Sequence, residues 1–431
     1  MTLTSGLTLL IVFALMLILS VPISVSIVIA SAVTILLLLP FDMAIFTSAQ
    51  KLVTGIDSFS LLAVPFFILS GILMNNGGIA ERLVNFAKVL VGRMPGALAH
   101  TNIVGNMLFG SLSGSSVAAA AAIGGVMAPL QKKEGYDPRF SAAVNIASAP
   151  TGLLIPPSGI LIIYSLVSGG TSVAALFLAG YLPGILWGIA CMIAAYIIAK
   201  RNGYPVSERV TFKIAFKTFI DAIPSLMMIV VVIGGILAGI FTATEASAIA
   251  VAYSLILSLI YRAVKIKDLP RMIMESVEIT SVIMLLVAGS AVMSWIMSFT
   301  GIPQAISNLI MEISSNPIII LLIINIFLLI IGTFMDITPA VLIFTPIFLP
   351  LVTSFGMDPI HFGIMMVMNL SVGNITPPVG SALFAGVSIA KLDLEDVMKP
   401  IIPFYVAIII ALLLVTYIPA ISMVLPKLLG Y

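Results

Sequence analysis

Two segments of this sequence set glycines and hydroxyl side chains, and in one case a carboxylate, inside long apolar stretches. They are Gly110-Ser111-Leu112-Ser113-Gly114-Ser115-Ser116 and Gly332-Thr333-Phe334-Met335-Asp336-Ile337-Thr338-Pro339. Two more combine small polar residues with a Pro-Pro step. One is Ser148-Ala149-Pro150-Thr151-Gly152 running on to Pro156-Pro157-Ser158-Gly159, and the other is Ser371 through Gly380 with Pro377-Pro378. Each is expected to interrupt a helix. Non-helical backbone at membrane depth must line a cavity or be buried in protein. Carbonyls freed from the helical ladder, with Ser, Thr and Asn oxygens, suit a hard cation such as Na+. The N-terminus of each resumed helix offers N–H groups and a positive dipole end to an anion. Thr338-Pro339 and Thr376-Pro377 read as cap-then-proline helix starts.

Asp336 is the only acid well inside an apolar stretch that also sits at a break. An intramembrane carboxylate costs at least about 2.5 kcal/mol and is a functional candidate by default. It could bind Na+, take a proton, or accept hydrogen bonds from substrate hydroxyls. The plainer alternative is a local cap on the N–H groups of Thr338 or beyond. Glu245 reads as structural, in the first turn of a helix capped by Thr244. Asn102 and Asn106, one helical turn apart, are placed to bond a neighbouring helix. Cys191, the single cysteine, reads as a small apolar side chain, and one cysteine excludes disulfides within the chain. His100 and His361 fall near span ends with no nucleophile, base or metal partner nearby, which argues against an embedded enzyme.

The elements that position these residues are set by composition. The 431 residues are 61% hydrophobic and 8% charged, with a mean hydropathy of +1.25. Soluble domains carry about 25% charged residues, so the membrane is this chain's solvent. The apolar runs are long and continuous, which indicates helices; barrel strands would alternate in polarity. There is no GxxxxGK[ST] loop to suggest ATP hydrolysis. A net charge of +2 gives no footprint for nucleic acid. No charged residue precedes Asp42, so the first segment reads as an anchor and not a cleaved signal.

About ten spans are expected, near 5–20, 22–40, 58–76, 140–168, 172–199, 223–241, 244–261, 276–300, 359–389 and 400–424. Stretches 96–130 and 317–352 are too long for one crossing and break near their middles, as re-entrant hairpins would. The two halves match. Pro129, Gly135, Asp137, Pro138, Gly152, Pro156, Pro157 and Gly159 recur as Pro350, Gly356, Asp358, Pro359, Gly373, Pro377, Pro378 and Gly380, always 221 positions on. Basic residues stay cytoplasmic. Arg82, Lys88, Arg93, Lys132, Lys133 and Arg139 mark loops of the first half whose counterparts, 304–316 and 352–360, hold no Lys or Arg. Equivalent loops therefore lie on opposite faces, and the repeat is inverted. Residues 1–200 form repeat one and 223–431 repeat two. A cytoplasmic linker, 201–222, carries Arg201, Arg209, Lys213 and Lys217, and both termini are periplasmic. Segments 81–93 and 304–316 are amphipathic and would lie in the interface. Inverted repeats meeting at midplane sites mark secondary transporters.

The wording of Gly239 through Ala246, Gly332 through Pro339, Asp358 through Gly363 and Asn369 through Gly380 carries a resemblance over essentially the whole chain. The chain resembles the large membrane subunit of tripartite ATP-independent periplasmic (TRAP) transporters. Ala243, where that family often has Pro, is a mild departure. The resemblance implies Na+-coupled uptake of an organic anion across the bacterial inner membrane. It implies a small four-helix membrane subunit and a periplasmic substrate-binding protein as partners, with membrane lipid around them. It also implies an elevator, in which both hairpins and both broken helices move against a scaffold of 5–40 and 223–261 with the interfacial helices. Carried onto matching positions, Na+ would meet Ser113, Gly114, Asn145, Thr151 and Gly152 in half one, and Gly332, Thr333, Gly373, Asn374 and Thr376 in half two. Substrate would meet Ser115, Ser116, Ser158, Asp336 and Thr338. The general wording is similar to the branch that takes up sialic acid. A C4-dicarboxylate is the alternative substrate, and none of the four breaks holds the Lys or Arg that a dianion would favour. A stand-alone sodium-coupled dicarboxylate carrier and an ion channel are the rival readings. The first needs no binding protein, and the second needs a continuous pore.

Overall fold

The computed structural model describes residues 2–92, 94–206 and 211–431. Arg93 and Arg209, read above as cytoplasmic charges, lie outside them. The chain is all-helical, with no strand among the described residues. Among the described residues, eight helices are long and apolar enough to cross a membrane, or nine with the bent pair Pro138–Leu154 and Gly159–Val167, which turns by 48°. Two of the eight, Pro317–Phe334 and Ile337–Ser354, are the arms of the second expected hairpin. With those set apart, the shorter apolar helices Thr4–Ile18, Ile23–Leu36, Pro359–Gly373 and Ser381–Ala390 complete the expected spans. Side chains such as Leu10, Ile18, Val230 and Val406 point outward from them, as lipid contact requires.

Each hairpin is two helices joined by two residues. In the first, Ala97–Ser113 and Ser116–Lys133 pack on each other across Gly114-Ser115. Gly114 ends the first arm with φ at 61°, a left-handed conformation that glycine adopts without a Cβ penalty. Ser115 starts the second arm, its Oγ accepting from the Ala118 N–H at 3.2 Å. In the second hairpin, Met335-Asp336 is extended between Pro317–Phe334 and Ile337–Ser354. After each hairpin an Asp-Pro pair starts the next helix. The Asp137 carboxylate accepts from the Arg139 N–H at 2.9 Å, and that of Asp358 from the Ile360 N–H at 2.8 Å. Pro138 and Pro359 sit in the first turn, where a missing N–H costs nothing.

The halves exchange elements. Gly159–Val167 packs against Ile337–Ser354, while Ser381–Ala390 packs against Ser116–Lys133. The Tyr164 hydroxyl donates to the Pro359 carbonyl at 2.6 Å across this crossing. Arg139 and Asp396 pair at 2.9 Å, also between halves. Helices Ile79–Val91 and Ile302–Ile313 are amphipathic, as expected; Ile79, Leu83, Val84 and Ala87 are buried while Glu81 and Asn85 are exposed.

Two local details differ from expectation. Helix Phe212–Leu237 begins inside the expected linker, so 212–222 is helical. Its Lys213 and Lys217 stems can lie along an apolar surface with their charges in water. The helix holding Glu245 is capped by Thr242, not Thr244. Thr242 Oγ1 accepts from the Glu245 N–H at 3.2 Å, and the Glu245 carboxylate accepts from the Thr242 N–H at 2.8 Å. Thr244 instead donates to the Phe59 carbonyl at 3.0 Å. Glu245 does have the structural part expected of it, as one half of a capping box.

Outside the spans, Tyr136 ties the loop after the first hairpin to the segment around 204. Its hydroxyl accepts from the Leu98 N–H at 3.3 Å and donates to the Pro205 carbonyl at 3.5 Å, and its ring stacks on Tyr204 at 4.4 Å. Burial pushes the phenol up to about 12, so it stays a donor at ordinary pH.

Candidate functional site

The hairpins end beside the helix breaks, backbone on backbone. A Cβ on Gly152 would overlap Gly110, and one on Gly373 would overlap Gly332. Only paired glycines let a tip and a break approach so closely. Gly114 in turn faces the Pro157 carbonyl and the Gly159 amide. The sequence-predicted ion residues Ser113, Gly114, Thr151 and Gly152 therefore meet at one tip–break junction, and Gly332, Thr333, Gly373 and Thr376 meet at a second.

Helix ends at these junctions release carbonyls. Of those closing Ala97–Ser113, the Gly110 carbonyl is taken by the Gly114 N–H at 2.8 Å. The Thr333 carbonyl accepts from the Val379 N–H at 3.1 Å, which fastens the second tip to the loop after Pro377-Pro378. Both Pro-Pro bonds are cis. The hydroxyls of Thr151, Thr333 and Thr376 donate to Ser148, Ile330 and Val372 carbonyls at 2.7 Å each, which leaves their oxygen lone pairs for a cation. A set of carbonyl and hydroxyl oxygens with no nitrogen or sulfur fits a hard monovalent cation.

Between the junctions lies a cleft of about 440 Å³. One wall is polar: Ser113, Ser115 and Ser116 from the first tip, Asp336 and Thr338 from the second, and Asn374 with Ser381 behind them. The opposite wall is apolar, built from Val64, Phe67, Ile68 and Ile72 of the 59–76 segment and from Ile279 and Ile283 of helix Leu269–Thr300. Asn75 and Glu275 stand at one end of it. No Lys, Arg or His occurs among the described residues that line it.

Asn374 links the halves across this polar wall. Its Nδ2 donates to Ser116 Oγ at 2.6 Å, and its Oδ1 accepts from the Ser381 hydroxyl. Asp336 faces the cleft with the Ser381 hydroxyl and the Ile337 amide beside it. It makes no side-chain cap bond to the N–H groups further along its helix. Four helix N-termini converge here, at Ser116, Gly159, Ile337 and Ser381. With no basic side chain among the described residues of the lining, their dipole ends supply its positive character.

Other expected positions fall elsewhere. Ser158 is buried behind the cleft and donates to the Leu153 carbonyl at 2.6 Å. Asn145 lies away from the tip, where Asn106 Nδ2 donates to its Oδ1 at 3.1 Å, and it lines a separate cavity. Asn106 thus bonds a neighbouring helix, as its position suggested. Thr376-Pro377 does not start a helix; the helix resumes at Ser381 because the Pro-Pro turn extends to Gly380. Thr338 is already in the first turn of a helix that begins at Ile337. Ser381, Asn75 and Glu275 were not anticipated. Ser381 follows the glycine that closes the second break, the one signal that could have marked it.

Comparison with known proteins bears on this arrangement. Residues 10–421 match the family model described as "Tripartite ATP-independent periplasmic transporter, DctM component". The chain is 54% identical over 416 residues to an uncharacterized Salmonella typhimurium protein, YgiK, covering 96% of each. It is 40% identical over 386 residues to the sialic acid TRAP transporter large permease protein SiaM of Vibrio cholerae, covering 89% of this chain and 90% of the relative. It is 38% identical over 398 residues to the C4-dicarboxylate TRAP transporter large permease protein DctM of Pseudomonas aeruginosa, covering 92% of each. The fold is similar to the crystal structure of the YdaH transporter of Alcanivorax borkumensis, with a TM-score of 0.58 and 12% identity over 88% of this chain and 89% of that one.

Proposed function

The chain belongs to the tripartite ATP-independent periplasmic transporter family as its DctM-type large membrane component, and from that premise we propose that it moves an organic monoanion together with Na+ through the tip cleft. Membership makes it a multi-pass inner-membrane permease for organic acids and not an enzyme. Membership also implies a small membrane subunit and a periplasmic binding protein as partners.

The observation that carries the proposal is the charge of the cleft. Among the described residues its lining holds two carboxylates, Asp336 and Glu275, and no basic side chain. An anion placed there has only helix N-termini to neutralise it, and a buried uncompensated charge is costly. Cations at the two tip–break junctions would supply the missing charge. Neither substrate nor cation would then be well held alone, which is the coupling a symporter requires. Na+ is here a co-substrate, held by oxygens around Ser113, Gly114, Thr151 and Gly152 in one junction and Gly332, Thr333, Gly373 and Thr376 in the other, with Asn374 between them.

The polar wall favours a sugar acid such as sialic acid. A substrate carboxylate would sit on the helix N-termini, and its hydroxyls would meet Ser115, Ser116, Thr338 and Asp336. A C4-dicarboxylate is the alternative, supported by a relative at closely similar identity. The apolar wall of 59–76 and 269–300 offers no hydrogen bonds to hold the tips, which suits a face along which they slide in an elevator.

The test is uptake by proteoliposomes holding the chain with its small subunit. Labelled sialic acid, an imposed Na+ gradient and the binding protein are supplied or withheld in turn. Uptake that requires gradient and binding protein is the expected result. Uptake without a gradient would overturn the coupling. Activity on a dicarboxylate in place of sialic acid would overturn the substrate.

A further inference from the structure

A second cavity, of about 450 Å³, opens at the other end of the first hairpin. It lies between the second hairpin arm at Gly124–Lys132, the helix start at Pro138–Asn145, and the end of Ser381–Ala390 at Gly386–Leu392. Its lining contains Lys132 and Lys391 and, among the described residues, no acid. The acids that follow it, Asp393, Glu395 and Asp396, are absent from that lining, and Asp396 is engaged by Arg139 at 2.9 Å.

Two buried donors in this lining have no hydrogen-bond partner. Asn102 is 1% exposed; its Oδ1 accepts from Asn106, and its Nδ2 donates to nothing. Ser141 is 5% exposed, and its Oγ is also unpartnered. Buried donors are nearly always satisfied, and leaving one unpaired costs about 1–3 kcal/mol. Donors beneath two lysines and beside no carboxylate are complementary to oxygen-bearing negative charge.

We propose that this cavity is an oxyanion site that takes a phosphate or carboxylate group, with Lys132 and Lys391 at its rim and Asn102 and Ser141 in its wall. Such a group would clamp the first-half hairpin arm to the second-half helix end. Those same two elements reach the tip cleft at Ser116 and Ser381. The group could come from a free cytoplasmic anion or from a lipid headgroup.

The test uses the complete membrane complex, as wild type, as K132Q/K391Q and as S141A, in nanodiscs. Inorganic phosphate is titrated in neutral phosphatidylcholine discs, with thermal unfolding as the readout. Phosphatidylglycerol discs without phosphate form the second arm. Stabilisation by phosphate assigns a soluble ligand, and stabilisation by phosphatidylglycerol alone assigns a lipid. In either case the double variant should weaken binding roughly tenfold or more, and S141A by a smaller factor. If neither probe stabilises the wild type, or if K132Q/K391Q responds as wild type does, the site is refuted. Folding of the exposed double variant is checked by its uptake without phosphate, which should match wild type.

Discussion

Asp336 is set among neutral hydrogen-bonding groups, the Ser381 hydroxyl and the Ile337 amide, with no cationic side chain among the described residues of the cleft. A carboxylate kept there for stability alone would be a poor choice, since an apolar replacement avoids the cost of burying charge. Its retention fits a group that receives something during transport, whether a cation or a substrate hydroxyl. Asp336→Ala should therefore insert and fold normally yet lower proteoliposome uptake by at least about a hundredfold, the scale of losing a hydrogen bond to a charged group together with its cation. Uptake near the wild-type rate, with equal amounts in the membrane, would take Asp336 out of the transport site. This residue could be picked out from sequence because an acid in an apolar stretch is rare. Ser381 could not, because serines are common in this chain and its part depends on Asn374 reaching it across a turn.

At the scale of elements, the glycine pairs decide how closely each hairpin approaches its broken helix. Gly152→Ala would drive a methyl group into the Gly110 backbone, and Gly373→Ala would do the same at Gly332. Backbone on both sides cannot rotate away as a side chain can, so each change should cost about 1–3 kcal/mol and splay the junction. Gly234→Ala, where nothing lies within 4 Å of the added carbon, should instead be neutral or stabilise by about 0.5–1 kcal/mol. Thermal unfolding of the three variants separates these cases, and a Gly152→Ala protein as stable as Gly234→Ala would deny the close contact. The interruptions themselves were legible, because clusters of Gly, Pro and Ser inside an apolar run weaken or break the helical ladder wherever they fall. The helix starts were less so. Thr338-Pro339 and Thr376-Pro377 carry the same local signal, yet one lies inside a helix and the other inside a turn. Local capping chemistry does not say how far a Pro-Pro turn extends, and Gly380 settles that only once the chain is folded. Ser158 and Asn145 lie off the cleft for a related reason: spacing puts a residue near a break but does not say which side of it faces open space.

At the scale of the molecule, the cleft has a direction. From the tips it follows Ile72 and Ile279 to Asn75 and Glu275, the end of helix Leu269–Thr300 that adjoins Lys265, Lys267 and Arg271. Basic clusters of this kind are retained on the cytoplasmic side, so the proposed orientation makes this an inward-open arrangement. Transport would then require the tips to travel along the apolar wall until the same polar groups face the periplasm. The chain's single cysteine makes this testable with little engineering. Cys191 is fully buried and its Sγ donates to the Ala147 carbonyl at 3.6 Å, so a polar thiol reagent should not reach it. Asn75→Cys places a thiol on an exposed residue at the cleft mouth. A membrane-impermeant maleimide should label it in inverted vesicles and leave it unlabelled in right-side-out cells. Adding substrate with Na+ should slow that labelling, because a loaded cleft can close and cross. Labelling from the periplasmic side alone would reverse the orientation assigned from the basic loops. Equal labelling from both sides would point to a continuous aqueous path, which a carrier of this design cannot have.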